Sequence, residues 1–253
     1  NMERGFLPVV VGTIAGALMA AAVALVIGLF SLRVRAIFFA MITLAVASAV
    51  AVLVSQLSAI TGGEDGLSFS IPRELTPAFR FAEGKLLGVS LNGKLLNYYL
   101  VFGGSLLIFL GLLRVVNSPF GRVLQAIREN DFRAEAIGYR VVAFRTLATC
   151  LSAACAALAG SLFAIWLRYV GPGTAMGFEI MIDVLLMVVI GGMGTLYGAA
   201  IGAVLLVLAQ TYLQEVMAGA AEATAALPLV PDLLNPDRWL LWLGLLFVAS
   251  IYF

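Results

Sequence analysis

Residues 118–130 read Ser-Pro-Phe-Gly-Arg-Val-Leu-Gln-Ala-Ile-Arg-Glu-Asn, a charged amphipathic stretch between two apolar segments that are each long enough to cross a bilayer. Six of the chain's 13 arginines lie in the 32 residues from Arg114 to Arg145. Because lysine and arginine beside membrane spans favour the cytoplasmic side, residues 117–140 are predicted to form a cytoplasmic loop. That loop sets the orientation of every span around it.

The composition predicts an all-α, polytopic membrane protein. Of the 253 residues, 62% are hydrophobic and 11% are charged, which gives more apolar surface than a soluble core can bury. A β-barrel would show alternating polarity, whereas these apolar runs are unbroken. About six spans and one half-length helix, 180–190, are predicted in a single transmembrane domain over residues 1–253. The apolar windows are 6–30, 37–60, 95–116, 141–167, 180–190, 196–213 and 239–253.

The other connections agree with the orientation that the arginine-rich loop sets. Arg33 and Arg35 follow the first window and are assigned to the cytoplasm. Residues 61–94, with four acids and four bases, and residues 216–238, with three acids and one arginine, are assigned to the external side.

Residues 118–138 predict two short helices. Ser118 is a favourable N-cap and Pro119 suits the first helical position. Asn130 or Asp131 is expected to end the first helix, and the second is expected to end at Gly138. The apolar face of the first helix comprises Phe120, Val123, Leu124 and Ile127. The pattern alone leaves open a docking element for a partner and an interfacial helix that only anchors the protein.

Asp183 lies well inside an apolar run, four residues after Glu179. A carboxylate inside a membrane is a functional candidate by default. Asp183 is therefore interpreted either as part of a translocation path or its gate, or as one half of a buried hydrogen bond to a neighbouring helix. Glu179 is interpreted as a helix-start acid that complements the helix dipole.

A glycine-rich run follows the half-length helix. Gly194, Gly198 and Gly202 recur every four residues, a spacing that favours close packing of two helices. Residues 191–194 also fit a non-helical junction near mid-membrane, which is tolerated only where it is buried in protein or lines a cavity. Both interpretations remain open from the sequence.

Four segments resemble one permease family, the membrane subunit of branched-chain amino acid and urea-type ABC importers. The run 118–130, followed by Ala-Glu-Ala-x-Gly at 134–138, closely resembles its cytoplasmic coupling loop. Three further segments resemble the family in the same order. Residues 33–45 contain Arg-x-Arg leading into Phe-Phe-Ala-Met-x-Thr-Leu-Ala. Residues 61–67 read Thr-Gly-Gly-x-Asp-Gly-Leu, and residues 191–198 read Gly-Gly-Met-Gly-Thr-Leu-Tyr-Gly. Ala36 and Asp183 replace the family's usual glycine and glutamate. The family usually has further N-terminal spans and a longer C-terminus, so the chain is expected to lack them.

The resemblance implies three sets of site residues. An ATPase would contact the coupling loop, residues 117–140, through Ser118, Pro119, Phe120, Gly121, Arg122, Ala126, Arg128, Glu129, Asn130, Glu135 and Gly138. A translocation path or gate would include Asp183, Gly191, Gly192 and Gly194. An external substrate-binding protein would contact Thr61, Gly62, Gly63, Asp65 and Gly66, and the connection 216–238.

The resemblance implies a non-catalytic permease subunit of the bacterial inner membrane that moves a small solute by alternating access. Its implied partners are a second, related permease subunit, two cytoplasmic ATPase subunits that bind ATP and Mg²⁺, an external substrate-binding protein and the lipid bilayer. The cargo is expected to be a branched-chain or other apolar amino acid, with urea and short amides left open. No nucleic acid, cofactor or metal is expected on this chain, which has no histidine and two cysteines.

An ion-coupled secondary transporter or channel, independent of ATPase subunits, is the alternative function. It would use intramembrane charges, but it leaves the basic amphipathic loop unexplained. An intramembrane hydrolase is disfavoured because the sequence has neither a histidine base nor a Gly-x-Ser-x-Gly motif. A scaffold would not explain Asp183.

Overall fold

The computed structural model describes residues 6–31, 36–70, 72, 75–76, 92–192 and 194–223, and residues 238, 241–242, 244–245 and 248 beyond them. Long helices dominate the described part, which confirms the all-α prediction. Arg33, Arg35 and most of the predicted window 239–253 lie outside the described residues. The chain divides into two compact units, Asn1–Met176 and Gly177–Phe253.

The first unit is organised around its longest helix, α7. α1 and α4 both pack along α7, and α2 contacts α1. The elements are α1 (Phe6–Ser31), α2 (Ala36–Gln56), α3 (Ser58–Thr61), a 3-10 turn (Gly63–Asp65), β1 (Leu67–Ser68), α4 (Gly93–Val116), α5 (Pro119–Glu129), α6 (Asp131–Ala136), α7 (Val141–Leu167), β2 (Tyr169–Val170) and α8 (Pro172–Ala175).

The second unit contains a helical hairpin of α9 (Phe178–Ile190) and α10 (Leu196–Ala223), which pack against each other. Leu186 of α9 and Leu206 of α10 form its buried core. α10 runs ten residues beyond the predicted window 196–213, so residues 216–223 are helical, and their assignment to the external side stays a prediction. The reason is local, because four of the six residues 218–223 are alanine, the strongest helix former.

Five described helical stretches are long and apolar enough to cross a membrane, and a bent pair makes up to six. This agrees with the predicted number of spans. The five are Phe6–Phe30, Gly93–Val116, Val141–Leu167, Pro172–Ile190 and Leu196–Ala221, and the pair is Met41–Gln56 with Ser58–Asp65, bent by 79°. α9 alone has 13 residues, about 20 Å of helix, which is shorter than a ~30 Å hydrocarbon core. The stretch Pro172–Ile190 reaches 19 residues because it includes α8.

Two buried clusters lie at opposite ends of α7. At its start, Val141 packs with Ile127 and Ala134 of the loop 117–140. Near its end, Ile165 packs with Leu75. The 24 residue steps from Val141 to Ile165 correspond to about 36 Å of helix, enough to traverse a ~30 Å hydrocarbon core. The loop and Leu75 therefore belong to opposite membrane faces.

The packing around Ile165 agrees with the predicted orientation of the neighbouring spans. Val9, near the start of α1, and Leu100, near the start of α4, both pack against this cluster. With the loop 117–140 in the cytoplasm, α1 and α4 both begin at the external side and run inward. This is the direction that the charge distribution predicts for both.

Candidate functional site

Ser118 connects the predicted coupling loop to the end of α4. Its backbone is extended, and its Oγ accepts a hydrogen bond from the Gly121 amide at 3.4 Å. The same hydroxyl donates to the Val115 carbonyl at 2.6 Å. Pro119 is the first residue of α5, as predicted. One side chain thus fixes the turn between α4 and α5.

Gly121 lies where α5 crosses the end of α4. It is buried, and a Cβ atom placed on it would lie 2.0 Å from the Val116 carbonyl oxygen and 2.7 Å from the Val115 carbonyl oxygen. Both obstacles are backbone atoms, which cannot rotate away as a side chain can. Gly121 therefore permits the close approach of α5 to α4, and it is not part of the exposed face.

Asn130 separates the two short helices of the loop. It ends α5 in an extended conformation, and its Oδ1 accepts a hydrogen bond from the Arg133 amide at 2.9 Å as the N-cap of α6. α6 ends at Ala136, and Gly138 follows with a φ of +101°. The prediction of two helices separated at Asn130 is confirmed, and Gly138 follows the C-cap residue Ile137 as the glycine that ends the second helix.

Aromatic contacts hold the loop against α7. The Phe120 ring stacks on that of Phe144, with centroids 5.7 Å apart and an interplanar angle of 23°. Tyr139 meets Phe144 edge-on, with centroids 5.8 Å apart. Each such pair contributes about 0.5–1.5 kcal/mol beyond the burial of its area. Phe144 thus receives contacts from both ends of the loop and attaches the loop to the start of α7.

An ion pair also joins the loop to α7. Arg145 Nη2 lies 3.3 Å from Asp131 Oδ2, and the two side chains are 39% and 61% exposed. Water and salt screen a pair this exposed, so its contribution is about 1 kcal/mol or less. The aromatic and apolar contacts therefore dominate the attachment.

The exposed surface of the loop carries both charges and large apolar groups. Phe132 and Ile137 are 80% and 71% exposed, the largest values for apolar side chains in the loop. The sequence pattern does not indicate these two residues, because α6 is too short to show a periodic apolar face. The exposed members of the predicted contact set are Pro119, Arg122, Ala126, Arg128, Glu129, Asn130, Glu135 and Gly138.

The predicted external turn, residues 61–66, is shaped by its backbone. Gly62, Gly63 and Gly66 have φ angles of +76°, +65° and +68°, in the left-handed region that glycine adopts at little cost. A Cβ atom on Gly62 would lie 2.2 Å from the Gly66 carbonyl oxygen. The Thr61 hydroxyl donates to the Leu57 carbonyl at 2.8 Å and fixes the start of the turn.

The turn is fastened to the end of α7 by a two-stranded ribbon. β1 and β2 pair antiparallel, with Leu67 opposite Val170 and Ser68 opposite Tyr169. The Tyr169 hydroxyl donates to the Asp65 carbonyl at 3.0 Å. Residues 61–68 and 168–171 are here called the external clasp. Sequence analysis missed it, because two-residue strands carry no periodic signal.

The clasp positions the predicted external residues. It lies at the Ile165 end of α7, opposite the coupling loop, as the predicted topology requires. The side chains of Glu64 and Asp65 are exposed, whereas Gly63 is buried. The turn therefore presents two carboxylates on a rigid backbone.

The glycine-rich run packs α9 tightly against α10. A Cβ atom on Gly202 would lie 1.8 Å from the Met187 carbonyl oxygen, and one on Gly191 would lie 1.8 Å from the Gly198 carbonyl oxygen. Close packing is thus observed for Gly198 and Gly202. Gly194 precedes α10 and has a φ of +137°, so its assignment to the helical stripe is wrong.

The junction between α9 and α10 is non-helical, as one interpretation of the sequence expected. Gly192 and Gly194 both have positive φ, and α10 begins at Leu196. The Thr195 Oγ1 accepts a hydrogen bond from the Gly198 amide at 3.1 Å and caps the helix. The role of the junction in a translocation path stays a prediction.

Asp183 is half-buried and faces α10. Gln210 Nε2 donates to Asp183 Oδ1 at 3.4 Å, so the hydrogen bond to a neighbouring helix, one of the two interpretations, is present. Glu179 lies exposed in the first turn of α9, as expected for a helix-start acid. Sequence analysis did not identify Gln210, because its partner lies 27 residues away.

Comparisons with known proteins agree with this architecture. Residues 2–250 match the family model described as the branched-chain amino acid transport system permease component. The high-affinity branched-chain amino acid transport system permease protein LivM of Escherichia coli is 31% identical over 211 residues, 78% of this chain and 49% of that protein. BraD of Pseudomonas aeruginosa, a high-affinity branched-chain amino acid transport system permease protein, is 29% identical over 168 residues, 65% of this chain and 52% of that protein.

A relative with a different named cargo is also similar. The autoinducer 2 import system permease protein LsrC of Klebsiella pneumoniae is 33% identical over 159 residues, which are 60% of this chain and 42% of that protein. The chain spans about half the length of the curated relatives it matches. No solved structure matches the chain.

Proposed function

We propose that this chain, which belongs to the branched-chain amino acid transport permease family, forms part of the translocation path of an ATP-driven importer. It is a multi-pass protein of the inner membrane, and permease subunits of this family are non-catalytic. The energy for transport comes from two cytoplasmic ATPase subunits, which bind ATP and Mg²⁺. A second, related permease subunit completes the path.

The attachment of the coupling loop to two spans carries this proposal. On one side, the Ser118 hydroxyl and the buried Gly121 fix α5 to the end of α4. On the other, Phe120 and Tyr139 contact Phe144 at the start of α7. A displacement of the loop by an ATPase would therefore move the inner ends of α4 and α7 together. This supports alternating access driven from the cytoplasmic side.

The exposed face of the loop is the proposed ATPase contact. Arg128 and Glu129 provide opposite charges on the last turn of α5. Phe132 and Ile137 add exposed apolar area to the predicted contact set, and large exposed apolar groups beside charged ones are typical of protein interfaces. Ser118, Phe120, Gly121 and Gly138 serve the shape of the loop rather than the contact itself.

The external clasp is the proposed contact for a substrate-binding protein. Its glycine backbone is pinned by the Tyr169 hydrogen bond and presents the carboxylates of Glu64 and Asp65. Such a rigid surface suits repeated docking and release of a partner that delivers the solute. A branched-chain or other apolar amino acid is the proposed cargo, because LivM and BraD are named for that transport system.

Affinity purification of the full-length protein from its native membrane tests the proposal. Wild type is compared with Arg128→Glu and Glu129→Arg in the coupling loop. Lys94→Glu, an exposed charge reversal at the external end of α4, is the matched control. ATPase subunits are expected with wild type and with the control, and they are expected to be lost from both loop variants. If wild type retains no ATPase, the ion-coupled alternative replaces this proposal.

A further inference from the structure

Asp183 places a carboxylate in the apolar sequence of α9. Its neighbours on α9 are aliphatic, including the exposed Ile182 and Val184 and the buried Leu186. Ionised groups inside membrane spans are costly and are retained where they bind a substrate, an ion or a proton. A purely structural hydrogen bond at this position requires only a neutral acceptor, such as the side chain of asparagine.

No basic residue of α9 or α10 balances this carboxylate. The sequence of α9 and α10 contains four charged residues, all acidic: Glu179, Asp183, Glu215 and Glu222. Among the described residues, Asp183 takes part in no ion pair, and its one hydrogen bond comes from the neutral amide of Gln210 to Oδ1. Among the described residues, Asp183 Oδ2 receives no hydrogen bond and is available to a cationic donor.

Gln210 holds this carboxylate on the side of the hairpin core that is away from the glycine contacts. The seam between the two helices begins at the Gly191–Gly198 contact, continues through Leu186 and Leu206, and ends at the Asp183–Gln210 hydrogen bond. The glycine contacts bring the two backbones together, whereas Asp183 and Gln210 are joined only through their side chains. A carboxylate that is oriented by one neutral hydrogen bond can exchange that donor for a solute when the solute arrives.

We propose that Asp183 binds the ammonium group of the transported amino acid and that Gln210 is the positioning residue for its carboxylate. This inference rests on the proposed function and names the feature of the cargo that the membrane path recognises. An ammonium donates charge-assisted hydrogen bonds to a carboxylate, and these strengthen where water is partly excluded. A neutral solute such as urea gains no such attraction, so the site favours amino acids.

Direct solute binding tests the inference without the selectivity of the external binding protein. The full-length permease is purified with its partner permease and ATPase subunits, and binding of radiolabelled L-leucine is measured by equilibrium dialysis. The comparison solute is 4-methylpentanoate, which has the same carbon chain and carboxylate but no ammonium. Wild type is expected to bind leucine at least about tenfold more tightly than 4-methylpentanoate, as expected for a charged hydrogen bond.

Asp183→Asn separates recognition of the ammonium from structural support. The Asn oxygen can still accept the hydrogen bond from Gln210, so a structural role alone predicts unchanged leucine binding. The inference predicts leucine binding about tenfold weaker, with 4-methylpentanoate binding unchanged. Glu179→Gln, an exposed acid one turn earlier on α9, is the matched control and should bind leucine as wild type does. Gln210→Leu keeps the charge but not its orientation, so a smaller loss is expected.

Each result decides between the inference and the proposed function. If the wild-type assembly imports leucine with ATP but Asp183→Asn binds leucine normally, the inference fails and the proposed function stands. Equal binding of leucine and 4-methylpentanoate by wild type overturns the inference without any variant, even if Asp183→Asn does not assemble. Absence of ATP-driven leucine uptake by the wild-type assembly overturns both.

Discussion

Phe120 of α5 stacks on Phe144 of α7, with ring centroids 5.7 Å apart. The first residue belongs to the predicted cytoplasmic loop, and the second is the fourth residue of a span of 27 residues. Because Tyr139 contacts the same ring from the other end of the loop, Phe144 is where motion of the loop would enter the membrane. The opposite end of this span carries the external clasp, so α7 connects both proposed partner sites.

Gly121→Ala is expected to disrupt the coupling loop. The new methyl group would meet the Val116 carbonyl oxygen at 2.0 Å, so α5 must move away from α4 and lose its packing. We expect a thermal midpoint lower by several degrees, consistent with a loss of about 1–3 kcal/mol on overpacking. Gly111→Ala on α4, where a Cβ atom meets no atom within 4 Å, is the control and should be neutral. Equal midpoints for the two variants would contradict the close approach.

Phe132→Ser is expected to weaken retention of the ATPase subunits without destabilising the permease. The side chain is 80% exposed, so its removal costs the isolated subunit little. At an interface, loss of a large aromatic anchor costs about 2 kcal/mol or more. Quantitative co-purification and thermal unfolding measure the two effects separately. Phe132→Leu should retain most binding. Unchanged retention in Phe132→Ser would remove this residue from the contact.

A disulfide across the external clasp is expected between cysteines at positions 67 and 170. Leu67 and Val170 are directly opposite in an antiparallel ribbon, which brings their Cβ atoms to about 4.5–5.5 Å. Cys150 and Cys155 are first replaced by alanine. A membrane-impermeant oxidant should cross-link Leu67→Cys/Val170→Cys rapidly in intact cells. The out-of-register pair Leu67→Cys/Tyr169→Cys should react more slowly, because neighbouring residues point to opposite faces. No reaction from outside would contradict the orientation.

Gly202→Ala is expected to separate α9 from α10. The added Cβ would lie 1.8 Å from the Met187 carbonyl oxygen, and no rotamer change relieves a backbone clash. Gly219→Ala, on the same helix in open space, is the control and should be neutral or more stable by about 1 kcal/mol, because alanine favours helix. Thermal unfolding of the purified full-length protein measures both changes. A stable Gly202→Ala protein would contradict the tight hairpin.

Local features of the fold could be predicted, whereas contacts between distant segments could not. The start of α5 could be predicted from Ser118 and Pro119, and its end could be predicted from Asn130, because capping depends on neighbouring residues. The Tyr169–Asp65 hydrogen bond joins residues 104 apart, and no periodic pattern marks it. Only the path of α7 brings the two segments together.

In the candidate sites too, local patterns could be predicted from the sequence, whereas contacts that depend on the fold could not. The amphipathic pattern of α5 identified the loop, but it did not reveal that Gly121 faces α4 or that Phe132 is exposed. Asp183 was a candidate because a carboxylate in an apolar run is conspicuous. Gln210 was not, since an amide near the middle of a long helix has no feature of its own until the hairpin packs it against Asp183.

Transport stoichiometry in proteoliposomes tests most directly whether Phe144 couples the loop to the membrane path. The full-length permease is reconstituted with its partner permease, ATPase subunits and substrate-binding protein, and leucine imported per ATP hydrolysed is measured for wild type, Phe144→Ala and Arg145→Ala. Phe144→Ala should hydrolyse ATP yet import at least about fivefold less leucine per ATP, because both aromatic contacts to the loop are lost. Arg145→Ala, which removes only an exposed ion pair, should stay within about twofold of wild type. A wild-type ratio in Phe144→Ala would contradict the account.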